Sequence, residues 1–198
     1  MTKTLTELYE PYNVADWNLG SDKGSVHSYL QVYEELLKPY RSTARRVLEI
    51  GLMGGASLRL WEDYYQSAWV HGADLCDQPH GGLADLRPML AEGTHHINFL
   101  DATDPVRVEH TYLDLKFDVI IEDASHVLEH QLAIYRNFRD RLAPGGLYCI
   151  EDVADLDKVR PLFENIDPAR EVTILDRRAI KGRFDDVLVV IRDKTPRL

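Results

Sequence analysis

The stretch Arg46–Ser57, RVLEIGLMGGAS, limits the possible folds more than any other part of the chain. Val47, Leu48 and Ile50 form an apolar run expected to be a buried strand, and Gly51, Gly54 and Gly55 supply a tight turn after it. From Ala56 the periodicity changes, because SLRLWEDYY places Leu58, Trp61 and Tyr65 at helical spacing. A strand that passes through glycines into a helix lets a ligand lie against bare backbone at the helix N-terminus.

The same alternation continues along the chain. Residues 1–28 read as irregular and polar, with a turn at Asp22–Gly24, and an amphipathic helix follows at Tyr29–Tyr40. Strands are expected at 46–50, Trp69–Asp74, His95–Phe99, Phe117–Ile121 and Leu147–Ile150. Helices are expected at 56–66, around Leu83–Ala91, after Asp104-Pro105, from 128 to 142, and around Leu156–Phe163. Pro144-Gly145-Gly146 reads as the stop of the helix before the fifth strand, and residues 77–82 read as a loop. Glu171–Leu175 and Val187–Ile191 have only RRAIKGRFDD-type loop sequence between them, which predicts an antiparallel hairpin. The expectation is an α/β three-layer sandwich with a mostly parallel seven-stranded sheet ending in that hairpin. Residues 1–198 would form one domain, with an N-terminal lid and helix at 1–42 and the core at 43–193.

Composition removes several function classes. A chain of 198 residues, 44% hydrophobic, can bury one sizeable core. A net charge of −10 disfavours a general nucleic-acid binder, which needs a basic face. No apolar run reaches the roughly 18 residues of a membrane span, and MTKTLTELYEPY lacks the apolar core of a signal peptide. Cys76 and Cys149 have no CxxC spacing, so the reading is a reduced cytoplasmic protein without a cysteine metal site. The Tyr29–Tyr40 face leaves a homo-oligomeric contact open.

Two ligand classes could use the glycine turn. A dinucleotide site expects GxGxxG and an acid about 20 residues on. Asp74 meets the second condition, while Gly51-Leu52-Met53-Gly54-Gly55 misses the first and fits E-x-G-x-x-x-G instead, with Glu49, Gly51 and Gly55. From about residue 43 to 193 the chain resembles the class I S-adenosylmethionine-dependent methyltransferases. The resemblance is carried by VLEIGLMGGAS, VHGAD, NFLDATD, FDVIIEDASH and LAPGGLYCIEDV. It implies that Glu49, Gly51 and Gly55 shape the cofactor pocket and that Ser57 meets the methionine carboxylate. It also implies that Asp74 binds the ribose and that Asp101 and Ala102 flank the adenine. Met53 departs from the pattern, since many members have glycine there. As bare residues, Asp101 could shape its own turn and Ser57 could simply cap a helix.

A second group of residues lies at the expected C-terminal strand ends, where open α/β sheets bind ligands. Asp123 follows the fourth strand, and Glu151 and Asp152 follow the fifth. Three such carboxylates repel one another unless paired. A hard divalent cation such as Mg²⁺ would relieve the repulsion; alternatively, Asp123 and Asp152 cap the following helices. The pattern is similar to two metal-dependent groups of small-molecule O-methyltransferases, the catechol type and the antibiotic-sugar or macrolide-tailoring type. DASH followed by IED, and DKGSVHSYLQVYEELL earlier, look most like the sugar group. That resemblance implies metal ligands at Asp123, Glu151 and Asp152, and substrate or lid residues at Lys23, His27 and Tyr29. His126, three residues after Asp123 at a helix start, can titrate near neutral pH and take a proton from a hydroxyl, at the offset where the catechol type carries a lysine base.

The resulting expectation is a Mg²⁺-assisted, S-adenosylmethionine-dependent O-methyltransferase acting on a hydroxyl of a sugar or glycosylated natural product. Its partner is a small molecule, with no nucleic acid and no membrane. Three alternatives stand beside it: a metal-independent methyltransferase, a nicotinamide-dependent oxidoreductase, and a non-catalytic S-adenosylmethionine-binding module.

Overall fold

The computed structural model describes residues 2–15, 20–76, 83–92 and 95–196. The expected loop at 77–82 lies outside the described residues. In chain order the elements are α1 (Leu5–Tyr9), α2 (Asp22–Ser25), α3 (Leu30–Leu37), β1 (Arg46–Ile50), α4 (Ala56–Tyr65), β2 (Trp69–Asp74), α5 (Leu83–Glu92) and β3 (His96–Phe99). They continue with α6 (Pro105–Tyr112), β4 (Phe117–Glu122), α7 (Leu128–Phe138), β5 (Leu142–Ile150), α8 (Leu156–Glu164), β6 (Glu171–Asp176), α9 (Arg178–Lys181) and β7 (Val187–Arg192). Short 3₁₀ turns occupy Glu10–Tyr12 and Arg139–Arg141.

The strands form one seven-stranded sheet in the order β3-β2-β1-β4-β5-β7-β6. β1 to β5 pair in parallel, and β7 runs antiparallel to both β5 and β6. Period-two alternation sends the strand side chains to two cores. Val47, Val119, Ile121, Leu147 and Val190 pack with Leu5, Tyr33, Leu37, Leu58 and Trp61 on one face. Leu48, Ile120, Tyr148, Ile150 and Val189 pack with Tyr112, Ile134, Phe138, Leu156 and Phe163 on the other. The expected three-layer architecture and terminal hairpin are present.

Three local expectations need correction. The first 28 residues are not uniformly irregular, since α1 and α2 form there. Thr4 and Glu7 make a reciprocal capping box at the start of α1, a T-x-x-E signature readable in the sequence. The fifth strand begins at Leu142, and Pro144–Gly146 lie inside it. Leu142 pairs with Phe117, and the register shifts before Val119 pairs with Leu147. That irregularity accommodates a proline that a regular ladder would exclude. Finally, α3 is shorter than expected, ending at Leu37, two residues before Pro39.

The glycine turn joins the ends of two strands. Gly51 has φ of 90°, and its N–H donates to Ala73 O at 2.8 Å. A Cβ on Gly51 would lie 2.0 Å from Asp123 O, so the turn after β1 touches the backbone leaving β4. Gly51→Ala is therefore expected to lower the unfolding free energy by about 1–3 kcal/mol, through left-handed strain and that clash. Urea unfolding checks it, and an unchanged midpoint would refute the close approach.

Candidate functional site

Strand parity assembles the acidic residues. Glu49, Ile121 and Cys149 stand side by side on β1, β4 and β5, as Ile50, Glu122 and Ile150 do one step on. The ladder continues beyond the strands, with Asp123 N donating to Ile50 O at 2.8 Å and Glu151 N donating to Glu122 O at 2.9 Å. Two residues on from Ile121 and Cys149, Asp123 and Glu151 come to the same face as Glu49. That face meets α2 and α3.

Lys23 of α2 enters this group. Its Nζ lies 2.6 Å from Asp123 Oδ2, 2.9 Å from both oxygens of Glu151, and 3.6 Å from Glu49 Oε1. The side chain is 1% exposed. Burial opposes its charge, but Asp123, Glu151 and Glu49 outweigh burial and raise its pKa well above the ordinary value. Tyr33 of α3 donates from its hydroxyl to Glu151 Oε1 at 2.6 Å, and Gln131 Nε2 donates to the Glu151 carbonyl at 2.9 Å.

Asp152 and His126 lie on the outer side of the cluster. Both have left-handed backbones, with φ of 55° and 57°. His126 Nε2 is 3.1 Å from Asp123 Oδ1, and its Nδ1 is 3.6 Å from Asp152 Oδ2. Its side chain is 40% exposed, so a ligand can reach it. Burial disfavours the imidazolium, yet the hydrogen bond and charge of Asp123, joined by Asp152, hold its pKa up to about 9. Asp152 is pushed up to about 7, by burial first and then by Asp123. Burial pushes the buried Glu49 up to about 7 and Glu122 up to about 8. One oxygen each of Glu49 and Glu122 is buried without a hydrogen-bond partner. Negative charge is concentrated here beyond what the nearby cations relieve.

One donor atom from each of Asp123, His126 and Asp152 lies within 4.8 Å of the others, as do donor atoms of Asp22, His27 and Asp152. Two hard carboxylates and an imidazole suit a small divalent cation. The first trio opens toward solvent at His126. Glu151 stands apart from both trios, because Lys23 and Tyr33 engage its oxygens. The capping alternative fails: Val127 is the N-cap of α7 and Asp155 that of α8.

Lys23, His27 and Tyr29, which the resemblance implied as substrate or lid residues, are buried against the acids. His27 is 2% exposed, 3.2 Å from Asp152 Oδ1, and stacked on Tyr29 at 5.0 Å. Burial lowers its pKa despite the carboxylates around it. Tyr29 donates to Asp152 Oδ1 at 2.7 Å, and burial first, then Asp152, raises its hydroxyl far out of the physiological range. Tyr33 and Asp186 belong to this support as well, and the sequence reading missed both. Asp186 accepts from Ser28 N and Oγ at 3.1 and 2.7 Å. No motif marks them, although Tyr33 shares a helical face with Tyr29.

The glycine turn adjoins this cluster through Gly51 and Asp123. Asp74 accepts from Leu52 N at 2.7 Å through Oδ2 and from Cys76 N at 2.6 Å through Oδ1. Each oxygen keeps a lone pair for an outside donor. Gly55 is the N-cap of α4, with φ of 81° and no side-chain cap, so the first turn offers backbone N–H groups to an anion. Ser57 lies in that turn, nearly buried. Glu49 itself is fully buried and accepts from Trp61 Nε1 at 3.1 Å. It supports the turn from behind and does not line its open side. Asp101 Oδ1 accepts from Thr103 N and Oγ1, the turn-shaping arrangement, while Ala102 O accepts from Asn137. Met53 is 44% exposed with φ of 47°, so a side chain at the unusual position points outward at the cost of a left-handed backbone.

No protein-family model matches the chain. By sequence it is 31% identical over 141 residues to the 8-demethyl-8-alpha-L-rhamnosyl tetracenomycin-C 2'-O-methyltransferase of Streptomyces olivaceus, covering 68% of this chain and 35% of that one. It is 32% identical over 138 residues to the mycinamicin VI 2''-O-methyltransferase of Micromonospora griseorubida, covering 66% and 32%. The chain thus spans about a third of the length of the curated relatives it matches. In structure it is similar to the MycE methyltransferase of the mycinamycin pathway, solved with Mg, S-adenosylhomocysteine (SAH) and mycinamycin VI. The TM-score is 0.73 at 20% identity, with 97% of this chain and 55% of that one covered. The sheet is the Rossmann-like sheet of methyltransferases.

Asp74→Ala removes the acceptor of two backbone N–H groups. Urea unfolding is expected to show a loss of about 1–3 kcal/mol, and Asp74→Asn, which keeps one acceptor, should lose less. Equal stability of Asp74→Ala and the parent chain would contradict the role of this carboxylate in holding the turn.

Proposed function

We propose that this chain, a relative of the antibiotic-sugar and macrolide O-methyltransferases, carries the catalytic core of an S-adenosylmethionine-dependent, Mg²⁺-assisted O-methyltransferase. Its acceptor is a sugar hydroxyl of a glycosylated small molecule. The observation that carries this reading is the contact between the glycine turn and the acid–histidine cluster. Gly51 packs against Asp123, so the donor-binding backbone and the acceptor-activating side chains share one crevice.

S-Adenosylmethionine, when bound, supplies an electrophilic methyl whose C–S bond breaks as the acceptor's C–O bond forms. Asp74 would hold its ribose hydroxyls, and the first-turn N–H groups of α4 its carboxylate, with Asp101 and Ala102 beside the adenine. Gly51 and Gly55 leave the backbone bare for this approach. Mg²⁺, when bound, supplies charge that lowers the acceptor hydroxyl's pKa and fixes its orientation.

Asp123 and Asp152 would hold that ion through hard oxygen donors, and Glu151 would join them on releasing Lys23. Tyr29 keeps Asp152 in place from below, as Lys23 does Asp123. His126 would take the acceptor's proton on a ring nitrogen. While paired with Asp123 it holds a proton itself; an Asp123 carboxylate drawn to a cation would weaken that hold. Alignment of oxygen, methyl and sulfur then supplies much of the rate gain.

Isothermal titration of the chain with SAH tests the first step. Saturable heat is expected, with Asp74→Ala weakening the affinity by about tenfold or more, the size of one lost charged hydrogen bond. No heat at high micromolar SAH would sink the methyltransferase reading. For the acceptor side, methyl transfer to a methyl 6-deoxyhexoside is expected to need Mg²⁺, and His126→Ala should slow it by about 10²-fold or more. Full activity in EDTA would instead support the metal-independent alternative.

A further inference from the structure

The N-terminal segment places an ammonium group of its own on the acids. Lys23 is completely buried, and its ammonium contacts one oxygen of Asp123 and both of Glu151. This is where a cation shared by those two carboxylates has to sit. We propose that Lys23 and the divalent cation are alternative occupants of the Asp123–Glu151 carboxylates, so that loading the metal releases the N-terminal cover from the site. The proposal rests on the Mg²⁺-assisted reading above.

Three observations carry it. First, the contacts are mutually exclusive: a Mg²⁺ ion binds oxygen at about 2.0–2.1 Å, and the ammonium at 2.6–2.9 Å from the same atoms blocks that approach. Second, Lys23 belongs to a four-residue helix, α2, whose backbone is held by side chains of α1 and of the β6–β7 connection. Ser25 N donates to the Tyr9 hydroxyl of α1 at 3.0 Å, and Lys181 Nζ donates to Ser25 O at 2.9 Å. Ser28 is held by Asp186 and by Arg177 Nε, which reaches its carbonyl at 2.9 Å. Third, the segment is what encloses the acids: His27 and Tyr29 lie against Asp152, and Asp152 and Glu151 are 3% and 1% exposed. Residues 21–29 and the β6–β7 connection therefore form one cover, fastened by a tethered cation. A free cation of higher charge competes with that fastening, and by linkage each weakens the other equally.

The test measures metal affinity and backbone opening in the protein itself. Chelator-treated chain is titrated with Mg²⁺ by calorimetry, and amide hydrogen exchange is followed with and without saturating Mg²⁺. The expected result is faster exchange over residues 22–29, where Val26, His27 and Tyr29 amides are bonded to Asp22 and Lys23 carbonyls. Lys23→Met, which removes the competitor, is expected to bind Mg²⁺ about tenfold more tightly, a typical coupling between linked sites. Lys23→Arg, which keeps the charge, should not gain that affinity. Should Lys23→Met fail to fold, the exchange measurement on the unaltered chain decides alone. Mg²⁺ that binds while exchange over 22–29 stays unchanged or slows overturns the proposal, as does a folded Lys23→Met that binds no more tightly. Absence of any Mg²⁺ heat in the unaltered chain overturns the metal reading together with it, so the two failures are told apart.

Discussion

One ammonium group, that of Lys23, is placed among Asp123, Glu151 and Glu49, and much of the site depends on it. Three parallel strands end on the same face with acidic side chains, and the apolar layer of α1, α3 and α4 keeps water from solvating them. Left alone, such charges would be neutralised by protonation or would push the strand ends apart. A buried pair of this kind adds little net stability, but losing one partner is costly, on the order of 3–5 kcal/mol. The N-terminal segment is thereby committed to the strand ends, and with it His27 and Tyr29 are brought under Asp152.

The same crowding makes the site chemically useful. Asp123 is shared: one oxygen goes inward to Lys23 and the other outward to His126. Asp152 is shared likewise between Tyr29 below and His126 above. Each carboxylate therefore has an inner half engaged by the N-terminal segment and an outer half that faces His126. The backbone pays a strain at His126 and Asp152, whose positive φ angles turn these side chains toward each other. The glycine turn closes against Asp123 without a side chain between, so a molecule on the turn lies beside these outer oxygens.

Much of this was legible in the residues. Apolar strands alternating with helical periods, glycines after β1, and a final pair of strands without a helix between them led to the observed sheet. Asp104-Pro105 marked the start of α6 correctly. The errors have physical causes. Pro144–Gly146 looked like a boundary because local propensity sees no partner strand, whereas pairing with β4 tolerates the proline at an irregular register. The first 28 residues looked irregular because α1 and α2 are too short to show a period; only the Thr4–Glu7 box marks a helix there.

What the sequence determined by itself was the fold and the types of group at the strand ends, since both follow from local periodicity and from the position of a residue relative to its strand. The acids, the histidine and the glycine turn were all visible in this way. The tertiary structure decided how they are divided. Glu49 and Glu151 face inward to Lys23, while Asp123, His126 and Asp152 converge outward, and Lys23, His27 and Tyr29 pack against the acids from the N-terminal segment. Residues 100 to 128 positions apart meet in these contacts. Only chain packing sets such distances, because no local spacing records which buried charge will find which partner.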